Sequence, residues 1–436
     1  MADYTKKIVK HSLIFGTGEI LSRLIGFILI PLYTRYLPRD QYGALQIILI
    51  TSNLIGIVLQ MGLGSAIFKS VVYDRNNRDN RIKYSTAMNF LLLSGLAGLT
   101  VFFLLARHVS ILLFRTADYV TEIRIIVATV LFRNMAVIPL SKLRIDGKTL
   151  NYSLLSLLRF TAQLGFNILF IVKLGFGIKG ILLAELIATA AFVPVYTGIL
   201  KNQYVFRMHL AELKEILHFG VPLIPSAVSM FLLNMSSQYF LQHYSGLADV
   251  ALYALAYRFS MIIALMVSAF QFTWASQLFE IAREENARHI FSRNFTRFYG
   301  VITLACIAMN FAARPLIRLM ATPEYADSYR IVPLLNISYL FLGVFYYSSI
   351  GINLKKKTAF QSLYAVIAAL VNLGLNLWLV PVHGVMGAAA ANAVSFFIMA
   401  ALTLLKSERL YPVGYEKKPV FLMSVVYIVQ LIVFYR

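Results

Sequence analysis

Apolar stretches of about 20 residues follow one another along almost the whole chain, and that feature decides the solvent in which it folds. A helix of that length crosses roughly 30 Å of hydrocarbon, whereas the strands of a membrane barrel alternate in polarity over about 10 residues. These stretches do not alternate. With 59% hydrophobic and 14% charged residues, the chain also carries more apolar surface than a water-soluble fold of 436 residues could hide. Backbone facing lipid must satisfy its own hydrogen bonds, so the expectation is an all-α membrane protein. Spans are predicted at 12–36, 43–67, 84–106, 119–140, 151–172, 180–200, 215–242, 250–273, 295–313, 331–352, 358–380, 385–405 and 419–435, roughly 13 crossings in all.

Met1–Lys10 is short and charged and runs into the first span without a small-residue cleavage site, so it reads as the start of that span. The single cysteine, Cys306, lies in an apolar stretch and excludes an internal disulfide framework. A formal charge of +21 would suggest nucleic acid in a soluble chain, so its placement matters. Alternate loops collect it: Lys6, Lys7 and Lys10; Lys69 to Lys83; Lys142, Arg144 and Lys148; Lys201 to Lys214; Arg283 to Arg297; Lys355 to Lys357; and Lys406 to Lys418. About 25 positives lie on that side against about 9 on the other, which marks it as cytoplasmic. The N-terminus is then cytoplasmic in a multi-pass inner-membrane protein, and no nucleic-acid partner is needed. Membrane lipids are the natural contacts of the basic turn Lys355–Lys357. Every loop is short and no G-x-x-x-x-G-K-[ST] occurs, so work by ATP hydrolysis within this chain is excluded.

The chain also repeats itself. Lys148-Thr149 is followed by Leu164-Gly165-Phe166-Asn167, and Lys357-Thr358 is followed at the same spacing by Leu373-Gly374-Leu375-Asn376. Gly177-Ile178-Lys179-Gly180 matches Gly384-Val385-Met386-Gly387, with Ala184 and Ala391 at the same distance beyond. Six spans separate equivalent points, so the two copies share one orientation, as do the parallel halves of some transporters. The expected architecture is two homologous six-helix lobes, 1–207 and 208–405, around a central cavity. Residues 406–436 add a cytoplasmic loop and a thirteenth helix outside the repeat. Substrates of such transporters sit at the seam.

Ionisable residues inside spans carry a cost of roughly 2.5–3.5 kcal/mol each at the bilayer centre and are functional candidates for that reason. Glu19 and Arg23 lie on one face of span 1, with Arg23 near mid-membrane. Arg258 in span 8 has similar depth. Arg159 in span 5 and Arg133 in span 4 are closer to the cytoplasmic surface, and Glu185 lies in the outer third of span 6. One reading is a cavity of net positive lining for an anionic group such as diphosphate, onto which arginine forks. The other is that Glu19 and Arg23 neutralise each other while Arg133 and Arg159 are snorkelled or capped. The embedded arginines outnumber the acids, which favours the first.

Uncharged polar residues extend the pattern. Gln46, Asn53 and Gln60 fall on one stripe of span 2, span 7 carries Asn234, Ser236, Ser237 and Gln238, and Gln271 follows in span 8. Amides and aromatics such as Tyr239, Tyr253, Tyr257 and Trp274 suit a carbohydrate path; interhelical hydrogen bonding is the competing reading. Pro31, Pro222 and Pro225 bend their helices. No HExxH, G-x-S-x-G or paired cysteines occur, and the histidines scatter near span ends, so neither enzyme chemistry nor a metal or cofactor is expected.

Two stretches carry a family resemblance. The first runs Phe15-Gly16, Ser22-Arg23-Leu24-Ile25-Gly26-Phe27, Pro31-Leu32-Tyr33-Thr34-Arg35-Tyr36-Leu37 and Tyr42-Gly43; the second runs Phe219-Gly220-Val221-Pro222-Leu223-Ile224-Pro225, Leu252-Tyr253-Ala254-Leu255-Ala256-Tyr257-Arg258, Ala269-Phe270-Gln271 and Trp274. Over roughly residues 8–405 the chain resembles the polysaccharide-biosynthesis flippases, the O-antigen repeat-unit transporters of the multidrug/oligosaccharidyl-lipid/polysaccharide exporter superfamily. The resemblance implies two lobes around a cationic cavity that opens alternately to each face. It also implies an undecaprenyl-diphosphate-linked oligosaccharide as cargo, drive by an ion gradient, and a monomer working beside glycosyltransferases and a polymerase of its pathway. Arg23 and Arg258 carry over as cargo-binding residues, with Arg159, Arg133 and Gln271 added from the chain itself; Glu19 and Glu185 are the ion-coupling or charge-pair residues. Ser237-Gln238 stands where the family often has an acid–arginine pair, and Leu29-Ile30 where the lipid II flippase branch has Arg-Asp, which argues against lipid II as cargo. A cation-coupled multidrug antiporter of the same superfamily would favour cavity carboxylates. A membrane polysaccharide polymerase would need a large outer loop, and the longest here is about the 314–330 segment.

Overall fold

The computed structural model describes residues 27–73 and 80–435. Glu19 and Arg23 lie outside the described residues. Regular structure within them is entirely helical, as backbone in a bilayer requires. Among the described residues, 11 helical runs are long and apolar enough to cross a membrane, and they take in every predicted span from 43–67 onward. Spans 358–380 and 385–405 form one run of 52 residues, Ala359–Leu410. At 1.5 Å per residue this is about 78 Å, enough for two crossings. They meet at Gly384, whose φ of 52° and ψ of −130° break the helical path. Glycine enters that region without steric cost, and Pro381 just before it weakens the ladder.

The chain folds as two units: one holds residues up to Leu37 and Leu45–Val228, the other Pro38–Ala44 and Ser229–Arg436. The first contains α1 (27–36), most of α2 (Arg39–Gln60), α3 (Leu63–Tyr73), α4 (Asn80–Leu104) and α5 (Ala106–Phe114). It continues through α6 (Val120–Met135), α7 (Val137–Ile145), α8 (Thr149–Asn167), α9 (Gly177–Ala191), α10 (Val193–Leu200) and α11 (Leu210–Gly220). α2 and α3 are separated by an elbow at Met61 and Gly62, with φ of 48° and 69°. The elbow lies backbone to backbone against the end of α11: a Cβ on Gly62 would come 2.4 Å from the Gly220 carbonyl oxygen, and one on Gly220 2.5 Å from that of Met61. Leu63, Ile67, Tyr84, Leu91, Ile138 and Ile216 bury together beside it. Lys83 is fully buried and donates to the Ser70 carbonyl at 2.9 Å.

α12 (Ile224–Tyr244) carries the chain into the second unit, followed by α13 (Leu247–Ile281), α14 (Ala287–Met320), α15 (Val332–Ser348), α16 (Ile350–Leu354), α17 (Ala359–Leu410) and α18 (Lys417–Tyr435). The apolar windows of Leu247–Gln271 and Val332–Leu354 are 72% and 83% buried, which makes α13 and α15 the centre of this unit. Aromatic rings join α13, α14 and α15: Trp274 stacks on Tyr347 at 4.3 Å, and Phe270 meets Phe298 at 4.1 Å. Only 6% of the α18 window is buried, so the thirteenth helix is peripheral.

A polar seam nevertheless ties α18 down. Asn310 donates to Gln430 Oε1 at 2.9 Å and accepts from Asn336 at 2.7 Å, and the Tyr427 hydroxyl donates to the Pro333 carbonyl at 3.1 Å. Asn310→Leu would leave Asn336 and Gln430 without partners in an apolar interior, a loss of about 1–3 kcal/mol. The expected result is a lower thermal midpoint for the purified chain than Tyr299→Phe produces, since Tyr299 makes one hydroxyl contact to Ser424 at the edge of the same seam.

Candidate functional site

In the first unit, Arg133 ends α6 and reaches α2. Its Nη2 donates to the Ser52 carbonyl at 3.0 Å and to Ser52 Oγ at 3.2 Å, and its Nη1 donates to Asn53 Oδ1 at 3.3 Å. Glu185 on α9 stands 3.9 Å from Nη1, and the pair is only partly exposed. α2 admits the guanidinium because residue 56 is glycine: a Cβ there would lie 3.0 Å from Arg133 Nη2. Arg159 on α8 interacts electrostatically with Arg133 and with Tyr196. Three sequence candidates, Arg133, Glu185 and Arg159, therefore gather in one unit, with two cations for one carboxylate. Asn53, singled out on the amide stripe, belongs to the same cluster. Its neutral oxygen completes the guanidinium's partners without cancelling charge. Glu185→Gln should therefore weaken the hold on Arg133 by about 1–2 kcal/mol, read as a small fall in thermal midpoint that Arg133→Gln in the same chain does not add to.

In the second unit, Arg258 stands over the ring of Tyr42, 5.7 Å from its centroid. Tyr42 is fully buried and meets Tyr325 edge-on at 5.8 Å. Tyr325 lies outside the spans, and burial raises its phenol above the ordinary value, so it stays protonated at neutral pH. The residues before Tyr42 are held by the same unit. Arg39 pairs with Asp249 at 3.9 Å and donates to the Ala248 carbonyl at 3.4 Å. Gly43 touches α13 directly, since a Cβ would fall 1.9 Å from the Leu247 carbonyl oxygen. Gln271 shares α13 with Arg258 but lies 13 residues on, about 20 Å along the helix, and its partner is Tyr346. The structure does not bring these two together.

Among the span 7 polar groups, Ser236 has a structural partner across the unit. Ser236 donates to Asn372 Oδ1 at 2.8 Å, Asn376 donates to the same oxygen at 2.9 Å, and Asn392 reaches the Leu233 carbonyl at 3.2 Å and the Tyr253 hydroxyl at 3.4 Å. Sequence reasoning flagged Ser236, named Asn376 only as a position of the internal repeat, and missed Asn372 and Asn392. The four-residue spacing of Asn372 and Asn376 was the available signal. Among the described residues, no group of three or more His, Cys, Asp or Glu could hold a metal ion.

Among the described residues, cavities open in the first unit at two places near the α2–α3 elbow. The larger, about 590 Å³, lies between the α2–α3 elbow, α7, the start of α8 and Leu223–Ala227, with Gln60, Ser65, Phe68, Ser141, Arg144 and Tyr152 on its wall. The smaller, about 490 Å³, includes Lys69, Ser70, His218 and Phe219, with the Lys69 ammonium 3.9 Å above the Phe219 ring. Of the larger cavity's polar wall the sequence singled out Gln60 alone; Leu223 and Ile224 entered through the family resemblance, and Arg144 was read only as an orientation charge. The glycines flanking Leu63 were the clue to a bend there.

A family model described as "Polysaccharide biosynthesis protein" matches residues 32–330. Protein 1 of the Lsg locus of Haemophilus influenzae is 23% identical over 273 residues; the chain spans 64% of that relative's length, and the match takes in 60% of the chain. A lipid II flippase, MurJ, in an inward closed conformation superposes with a TM-score of 0.81 over 97% of this chain and 92% of that one, at 15% identity. An inward-facing multidrug-resistance MATE transporter of the MOP superfamily gives 0.70 at 16% identity, over 90% of this chain and 98% of that one. A MATE transporter of Vibrio cholerae gives 0.66 at 18% identity, over 94% and 98%. At these identities the structures establish a shared two-lobed helical fold.

Proposed function

Since the chain belongs to the polysaccharide biosynthesis protein family, we propose that this multi-pass membrane protein is a flippase for an undecaprenyl-diphosphate-linked oligosaccharide. The observation that carries the reading is the cluster of Arg133, Arg159 and Glu185, in which, among the described residues, two guanidinium groups meet one carboxylate. A diphosphate supplies the missing negative charge, and arginine binds it by paired, charge-assisted hydrogen bonds. Arg258 is the corresponding cargo-binding residue of the second unit. The cytoplasmic N-terminus, the inner membrane, alternating access and the ion gradient belong to the same proposal, as do pathway glycosyltransferases and a polymerase as suppliers and users of the cargo.

A multidrug antiporter would place a carboxylate toward a cationic drug. Glu185 instead faces Arg133, and that favours the anionic cargo. The test is deletion and complementation. Removing the gene should abolish surface polysaccharide, the intact chain should restore it, and Arg159→Ala should restore it at least about tenfold less well, from the loss of a charged hydrogen bond. Unchanged polysaccharide after deletion, together with new drug sensitivity, would favour the antiporter.

A further inference from the structure

We propose that the cavity at the α2–α3 elbow binds the sugar of the cargo, with Arg144 donating to its hydroxyls. This rests on the flippase reading and assigns a place within it. The volume of about 590 Å³ falls inside the roughly 300–1,000 Å³ of small-molecule sites. Among the described residues, Arg144 is the one ionised side chain on the wall, and Gln60, Ser65, Ser141 and Tyr152 are neutral groups that both donate and accept. Sugar hydroxyls need that pairing, whereas a phospholipid headgroup is met by clustered cations. Phe68 adds an apolar face for a ring's C–H groups.

Two of the neutral groups converge. A Cβ on Gly64 would lie 3.4 Å from Gln60 Nε2 and 4.0 Å from Ser141 Oγ, so the amide and the hydroxyl bracket one bare stretch of backbone. α3 starts at this point, and its amino-terminal end adds partial positive charge to the same cavity wall. The smaller cavity, with Lys69, Glu215 and His218 on its wall, is instead lined by charges of both signs.

Ser65 lines the cavity and is exposed, so Ser65→Cys gives a reporter, and the buried Cys306 stays silent toward maleimide. Labelling is followed in inverted membrane vesicles from cells that make the cargo and from cells lacking the enzyme that joins the first sugar phosphate to the lipid carrier. Cargo should slow labelling of Ser65→Cys about fivefold or more, as for a site mostly occupied, while Asn202→Cys on the exposed loop reacts equally in both. Equal Ser65→Cys rates overturn the assignment. So does slowing that persists without the sugar, which would mean a lipid occupant.

A second arm fills the cavity: Ser65→Trp should lower surface polysaccharide at least about tenfold at unchanged membrane level. Normal polysaccharide from that variant also overturns the assignment. Should deletion of the gene abolish polysaccharide while Ser65→Cys labelling ignores cargo, the cavity assignment alone fails. Should deletion change nothing, the flippase reading fails and takes the cavity with it.

Discussion

An Arg258→Ala chain is expected to reach the membrane in normal amount and yet to restore less than about one hundredth of the surface polysaccharide given by the intact chain. Hydrogen bonds to a charged group contribute about 1.5–3 kcal/mol each, and a forked pair on phosphate oxygens loses two of them. At about 1.4 kcal/mol per tenfold, the sum is roughly two decades or more. Arg258→Lys keeps the charge but not the planar fork and should recover only part of the loss. The position over the Tyr42 ring gives a control, because a guanidinium on a ring also stabilises. If the lost function were only lost packing, the thermal midpoint of Arg258→Ala would fall with the polysaccharide. Normal polysaccharide at normal expression would remove Arg258 from the site.

Gly62→Val is expected to prevent accumulation of the folded chain altogether. Its φ of 69° is strained for a β-branched side chain, and its Cβ would stand 2.4 Å from the Gly220 carbonyl oxygen, which is backbone and cannot rotate away. Strain and overlap together place the loss above about 4 kcal/mol, the range of severe single substitutions. Gly165→Ala is the contrast: nothing lies within 4 Å of its Cβ, it sits within α8, and a gain of about 0.5–1 kcal/mol is expected from the stiffer unfolded chain. Detergent extraction followed by size-exclusion chromatography separates the cases. A folded, monodisperse Gly62→Val protein would show that the elbow can open.

The helices were legible because hydrocarbon thickness fixes span length, and each predicted span within the described residues found its helix. Arg133 and Glu185 were equally legible as residues that lipid does not tolerate singly. Their pairing was not, because Ser52, Asn53, Arg133 and Glu185 come from three helices whose neighbourhood no local pattern encodes. The glycine of the repeat at position 384 was visible, but the repeat could not say that two spans would share one helical run around it. Arg144 shows the opposite failure. A charge counted for orientation was already accounted for, so nothing in the sequence asked whether it also bordered a cavity.

Tyr42 completes its surroundings only when residues of the second unit exist, Arg258 and Tyr325 among them. At roughly 5–20 residues per second, the ribosome needs about 15–60 s to travel from Tyr42 to Tyr325. For that interval the Pro38–Ala44 strip waits in an unfinished setting, and an insertion partner or the lipid itself must tolerate it. A gene cut between Val228 and Ser229 would then yield a carboxy-terminal product short of one strip of its own interior, so separately produced halves should regain stability only when co-expressed.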